Sequence, residues 1–291
     1  MSVLVHLTNR NNKIFRRDRT LVLLSLLSVG IVILLYAVFL QKTQIDHVEQ
    51  IVGSSQAVKS MVNEWMVAGL LTITAVTSTL GAFGIMVRDK ESKKMSDFLI
   101  APISRVKIQL SYVVNAFIIG LFNSLVALIG CELFLLLTGS AMLSLVNLMK
   151  VLGIIILLVA LASAINLLLV LFIHSQNAFS TLSTIVGTSI GFLCGVYVPI
   201  GSLPNAVQHL IMYFPVSHIS VLFRQVLMED SIQKVFQHAR PEQVLEYKLH
   251  LGVVYKMNNQ LINYSTSIWI IIISMILFIA VSMVTFNKQN K

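Results

Sequence analysis

Residues 65–107 read WMVAGLLTITAVTSTLGAFGIMVRDKESKKMSDFLIAPISRVK. The first part, 65–87, is apolar and carries no charge. A hydrocarbon core roughly 30 Å thick takes about 20 apolar residues as helix, which satisfies its own backbone polar groups in lipid. The stretch therefore reads as a membrane-crossing helix. Directly after it, 88–107 turns basic, with Arg88, Lys90, Lys93, Lys94, Arg105 and Lys107. Comparable apolar stretches lie on either side, at 21–40, 108–137, 151–173 and 267–286. A sixth, 178–198, is apolar but glycine-rich. The fold class expected is an all-α polytopic membrane protein with six transmembrane helices.

Composition agrees. Hydrophobic residues make up 56% of the chain and charged residues 11%, with a mean hydropathy of +0.85. A soluble domain carries about a quarter charged residues. The net charge of +9 does not point to nucleic acid, because the basic residues sit beside membrane helices and not among base-stacking aromatics. Arg10, Lys13, Arg16, Arg17 and Arg19 accompany a single acid, Asp18, in 1–20. By the positive-inside rule this segment and 88–107 face the cytoplasm. Six crossings return the C-terminus, with Lys288 and Lys291, to the same side. The loops 41–64 and 138–150 are poor in Lys and Arg and would face outward. The stretch 199–266 holds five basic residues, but long outer loops are weakly governed by charge. The first stretch lacks a small-residue cleavage motif and is expected to be a retained anchor. Cys131 and Cys194 lie in apolar runs and read as packing residues, not as a disulfide pair.

Within this frame, 1–20 mixes Leu4, Leu7, Ile14 and Phe15 at helical spacing with basic residues, as an amphipathic interfacial helix does. A topogenic basic tail is the alternative. Thr72, Thr74, Thr77, Ser78 and Thr79 put hydroxyls on the second span. They either pack helices or, with Thr72 and Thr79, line a substrate path. Ser183, Gly187, Gly191 and Gly195 recur every fourth residue, a small-residue face suited to helix packing or a dimer interface. The segment after 198 is apolar but broken by Pro199, Gly201, Pro204 and Pro215, which disfavours a smooth crossing. A re-entrant outer hairpin that includes His218 fits better. The polar stretch 229–266 should be an outer segment with one or two short helices.

No Walker A pattern or other phosphate loop occurs, and no HExxH, Cys/His cluster or calcium loop. No metal or cofactor is expected in the chain. Gly187-Thr188-Ser189-Ile190-Gly191 matches G-x-S-x-G, a motif that works only at a strand-to-helix elbow. Glu132 is the one acid inside a span, and such a residue is a functional candidate. It lies near the outer end of its span, so a place in a substrate path and a plain interfacial position are both open. In the basic loop, Lys93, Lys94 and Asp97 can face water while Met95, Phe98, Leu99 and Ile100 offer an apolar edge, and Pro102 ends the short helix. That is a protruding helix suited to docking in a partner's groove.

The segment Phe98-Leu99-Ile100-Ala101-Pro102-Ile103-Ser104-Arg105 resembles the L-x-x-P-I-S-R pattern before the third span of ABC-2 type export permeases. Val198-Pro199-Ile200-Gly201-Ser202-Leu203-Pro204, continuing to Phe214-Pro215-Val216-Ser217-His218, resembles that family's re-entrant hairpin. The resemblance extends over essentially the whole chain, 1–20 as interfacial segment and 21–291 as transmembrane domain. It implies a permease subunit whose loop 88–107 is coupled to a separate ABC ATPase subunit, present in two copies and binding ATP and Mg. It also implies a second permease protomer, identical or a paralogue, in the cell membrane. Cargo would be hydrophobic or amphipathic: a peptide, a drug or a lipid-linked compound, with glycan export open. A resistance scaffold or sensor is the alternative, and an intramembrane hydrolase using Ser189 a remote one.

Overall fold

The computed structural model describes residues 3–19, scattered positions between 22 and 38, and residues 41–53, 55–237, 239–257 and 260–289. The expected first span, 21–40, therefore lies largely outside the described residues. Helix α1 is Val3–Arg17 and α2 is Gln41–Val52. The long α3, Gln56–Glu91, is followed by the short α4, Lys94–Ile100. Helices α5 (Arg105–Leu137), α6 (Leu145–Leu171) and α7 (Gln176–Leu193) come next. Short helices α8 (Asn205–Tyr213), α9 (Pro215–Leu227), α10 (Glu229–Val235) and α11 (Pro241–His250) follow. A two-residue hairpin pairs Lys256 with Leu261 and Met257 with Gln260 before the terminal α12, Tyr264–Gln289.

Among the described residues, α3, α5, α6 and α12 are long and apolar enough to cross a membrane. The pair α8 and α9, bent by 89°, adds a fifth if counted as one broken span. Pro215 opens α9 and is buried, so the bend falls where proline starts a helix cleanly but cannot continue one. Helices α3, α6 and α7 begin at hydroxyl caps. Ser55, Ser144 and Ser175 accept from the backbone N–H of Val58, Asn147 and Ala178 at 3.3, 3.2 and 3.3 Å, closing orphan donors of the first turn.

Helix α3 is the axis of the bundle. It has 36 residues, or about 54 Å at 1.5 Å per residue, so both ends overrun a core of roughly 30 Å. The sequence expectation of 65–87 caught only its apolar middle. Helices α5, α6, α7 and α9 all pack on α3. Asn166 on α6 donates to Val76 O at 2.9 Å and to Thr79 Oγ1 at 2.8 Å. Where α5 crosses, Gly120 leaves room for Thr79; any Cβ there would collide with it. Helix α12 packs on α6 and α9 and exposes Trp269, Ile273, Ile276 and Leu277. The segment from α10 to the hairpin caps the end of the bundle opposite α4.

Candidate docking face at the base of the bundle

Four consecutive residues close α3, and each reaches a different element. Arg88 forms an ion pair with Asp18, after α1, at 3.9 Å. Asp89, only 2% exposed, accepts a two-pronged contact from Arg10 of α1, with Nη2 to Oδ1 at 2.8 Å and Nη1 to Oδ2. Tyr112 of α5 donates to the same Oδ2 at 2.7 Å. The Lys90 ammonium donates to the carbonyls of Val170, Leu171 and Ile173 at 3.1, 3.0 and 3.3 Å, satisfying the end of α6 where helix carbonyls lack partners. Glu91 Oε1 accepts from the Gln176 N–H at the start of α7 at 3.3 Å. The Asp89 hydrogen bond holds the Arg10 guanidinium above its ordinary pKa. Arg10 also lies over the Phe98 ring, 5.3 Å from its centroid, a cation–π contact that ties α4 to the cluster.

From this base α4 turns back. Lys93 adopts φ 62°, ψ 2°, the left-handed conformation that ends helices and is costly for a side-chain-bearing residue. The expected docking residues then divide. Lys93, Lys94, Asp97 and Pro102 are exposed. Phe98 and Leu99 are half-buried against the chain's own inner core, and Met95 is buried in it. The apolar side chain that α4 offers outward is Ile100, 84% exposed. Phe98 and Leu99, expected as part of the apolar edge of this helix, thus divide their surface between the chain's own core and the outside. A seven-residue helix lying on a bundle must bury one side, and these two face it.

The structure separates the other candidates. Thr72 and Thr79 are fully buried; each donates to its own helix, to Ala68 O at 2.9 Å and Ala75 O at 2.8 Å. Neither lines an open path in this conformation. Glu132 is half-buried, its Oε2 accepting from Leu143 N–H at 3.4 Å. The four-residue stripe does not run along one helix. Helix α7 ends at Leu193, and Gly195 lies beyond it at φ +60°, against Ile200 and Arg224. Gly191 is filled by Tyr197 of the same chain, whereas Gly187 meets nothing. Ser183 is half-buried, its Oγ without a hydrogen-bond partner. Pro199 is buried and Pro204 caps α8. His218 is buried, with Nε2 2.8 Å from Met212 O and Nδ1 3.4 Å from Ser267 Oγ, pinning the bent pair to α12. Ser189 is exposed on α7, and His174 precedes Ser189 by 15 residues of chain, about 22 Å of helical rise, so no Ser–His pair forms between them.

Sequence reading missed Arg224. It is fully buried in α9, donates to Cys194 O and Gly195 O at 2.7 Å each and to Gly252 O at 3.2 Å, and lies 5.4 Å from the Trp65 ring centroid. Gly252 takes φ +67°, turning its carbonyl toward the guanidinium. Trp65 in turn donates to Leu251 O at 2.9 Å. An arginine within the apolar run PVSHISVLFRQVL was the available sign.

A bundle of membrane-length helices with a braced short helix at its base defines a multi-pass membrane protein. The family model described as "ABC-2 family transporter protein" matches residues 40–286, and the chain belongs to that family as a permease subunit of an ABC transporter. No curated protein matches it.

Proposed function

We propose that the chain is the membrane half of an ATP-driven exporter, with α4 as the helix that a separate ATPase subunit grips. The observation that carries this reading is the placement of α4. It projects from α3 with Lys93, Lys94, Ser96, Asp97, Ile100 and Pro102 exposed, while the Arg10–Asp89–Tyr112 cluster ties its support to α1 and α5. A push on α4 is passed to the α3 axis, and through Lys90 and Glu91 to α6 and α7. Such a push shifts the bundle only if the ATPase binds one arrangement better than the other.

In this reading α4 and both termini are cytoplasmic, α1 lies along the inner surface, and 21–40 supplies the first of six spans. Helices α8 and α9 form a re-entrant hairpin; Val207, Leu210 and Tyr213, exposed on α8, would meet lipid. Two ATPase subunits supply the ATP and Mg site. A second protomer, identical or a paralogue, packs against α7. The support for this last point is the outward face of α7, where Thr181, Thr184, Ile185, Thr188 and Ser189 are exposed and Gly187 is unfilled. That half-polar face suits a protomer contact or an amphipathic cargo, such as a peptide, better than lipid.

The test is reconstitution. In proteoliposomes the chain alone should hydrolyse no ATP, and its ATPase subunit should copurify with it and turn over faster in its presence. Hydrolysis by the chain alone, or failure of every ABC ATPase encoded beside it to copurify, would overturn the reading.

A further inference from the structure

We propose that a cavity at the end of α3 opposite α4 is a binding site for a primary ammonium group. The cavity has a volume of about 310 Å³ and is lined by, among others, Ser60, Glu64, Ser144, Asn147, Asp230 and Lys234. Its size is at the lower end of small-molecule sites, which run from about 300 to 1,000 Å³. It admits one side-chain-sized group, not a whole peptide.

Glu64 is the centre of the argument. It is 9% exposed. Its Oε1 accepts from Ser231 Oγ at 2.8 Å, while Oε2 is buried with no hydrogen-bond partner. An unpaired buried carboxylate oxygen is costly and calls for a donor. The surrounding charges set the sign of that donor. Burial pushes the Glu64 carboxyl up to about 8, with Asp230 and Glu132 adding to the rise and Ser231 and Lys234 opposing it, so the ionised form needs a cation at Oε2; Glu132 also has a buried oxygen, Oε1, without a partner. Lys234 is exposed at the rim, and no Lys234 ion pair occurs among the described residues.

The geometry narrows the class of cation. A divalent metal needs several hard ligands, and no group of three or more His, Cys, Asp or Glu side chains able to hold one occurs among the described residues. A guanidinium favours a two-pronged carboxylate, but Oε1 of Glu64 is already engaged. A quaternary ammonium has no N–H to give. A primary ammonium has three, enough for Glu64 Oε2, Asp230 and a neutral oxygen of Ser60, Ser144 or Asn147.

Two sources offer that group: a lysine of a peptide and the headgroup of an aminophospholipid. The inference goes beyond the permease reading and does not depend on it, since binding is measured without an ATPase. The full chain in neutral detergent is titrated by calorimetry with trilysine amide, its fully acetylated form, dihexanoyl phosphatidylethanolamine and the phosphatidylcholine counterpart. We expect saturable binding of an amine-bearing probe and none of its acetylated or choline control. Trilysine alone binding identifies a peptide site, phosphatidylethanolamine alone a lipid site. Glu64→Gln should weaken binding about tenfold or more, as loss of a buried charge partner does. Asp230→Asn, at an exposed position that folding should tolerate, should weaken it about threefold, and Lys234→Gln should strengthen it. Absence of amine binding, amine binding indifferent to both acidic substitutions, or tighter binding of calcium ion at the same residues would overturn the proposal.

Discussion

At the α4 end of α3, Arg88, Asp89, Lys90 and Glu91 each meet a group on another element, and the most buried of them, Asp89, has a cation and a phenol as partners. At the opposite end the buried charges are Glu64 and, on the neighbouring α9, Arg224. Among the described residues neither has a charged hydrogen-bond partner: a serine holds Glu64 and three backbone carbonyls hold Arg224. Salt bridges between helices fix their relative positions. A guanidinium held by carbonyls instead fixes the loops around 195 and 252, which form the cap. The two ends of one helix are thus held differently, the first by ion pairs between helices and the second by carbonyls of the cap.

The sharpest way to break this comparison is at the cap. Arg224→Met should destabilise the purified chain by about 4 kcal/mol, since three buried carbonyls lose their donor and no counter-ion is released in compensation. Thermal unfolding in detergent measures it. A loss under about 1 kcal/mol would mean that water replaces the guanidinium and the cap is not held this way.

At the base, Asp89→Asn should cost about 3 kcal/mol, because Arg10 keeps its burial but loses its anion. Here the double variant decides. Arg10→Gln with Asp89→Asn should be less harmful than the sum of the single changes, by a coupling of about 1–2 kcal/mol. Strict additivity would show that α1 rests on α3 without depending on the pair.

The contrast between the ends also explains what could be read in the sequence. Hydropathy finds α3, α5, α6 and α12 because each needs an apolar middle, but it cannot find where α3 stops. The tetrad 88–91 is as polar as a loop. Only the tertiary partners Arg10, Tyr112 and the ends of α6 and α7 keep it helical. The run 178–198 looks continuous in hydropathy, yet Gly195 adopts a positive φ under Arg224 and ends the helix early. The short helix α4 was legible as a basic element closed by Pro102. Which of its apolar residues point outward was not, since a seven-residue helix gives too few turns for periodicity to separate a core face from a partner face.

That gap yields the next test, at the surface of α4. Ile100→Ala should weaken association with the ATPase subunit by about 1–2 kcal/mol, roughly tenfold in affinity, and leave the stability of the chain unchanged. Phe98→Ala with Leu99→Ala should do the reverse, lowering thermal stability through lost core contacts. If the Phe98/Leu99 pair abolishes association in a chain of unaltered stability, those side chains rotate outward in the complex and the docked α4 differs from the one seen here.

The smallest effect belongs to the exposed cations of the same helix. Lys93 and Lys94 stand in water with no ion pair among the described residues, so neither pays for burial and neither leaves a buried partner when removed. Changing both to Gln should alter ATPase affinity by less than about 0.5 kcal/mol at physiological salt. The effect should appear in the association rate and should fade as salt screens the field over about 8 Å or less. Membrane orientation should hold, because Arg88, Lys90, Arg105 and Lys107 still mark the flank. Surface-plasmon measurements at low and high salt separate the two contributions. If the double change abolishes binding at every salt concentration, the contact is a buried electrostatic one, and the base of the bundle docks through charge and not through the apolar edge at Ile100.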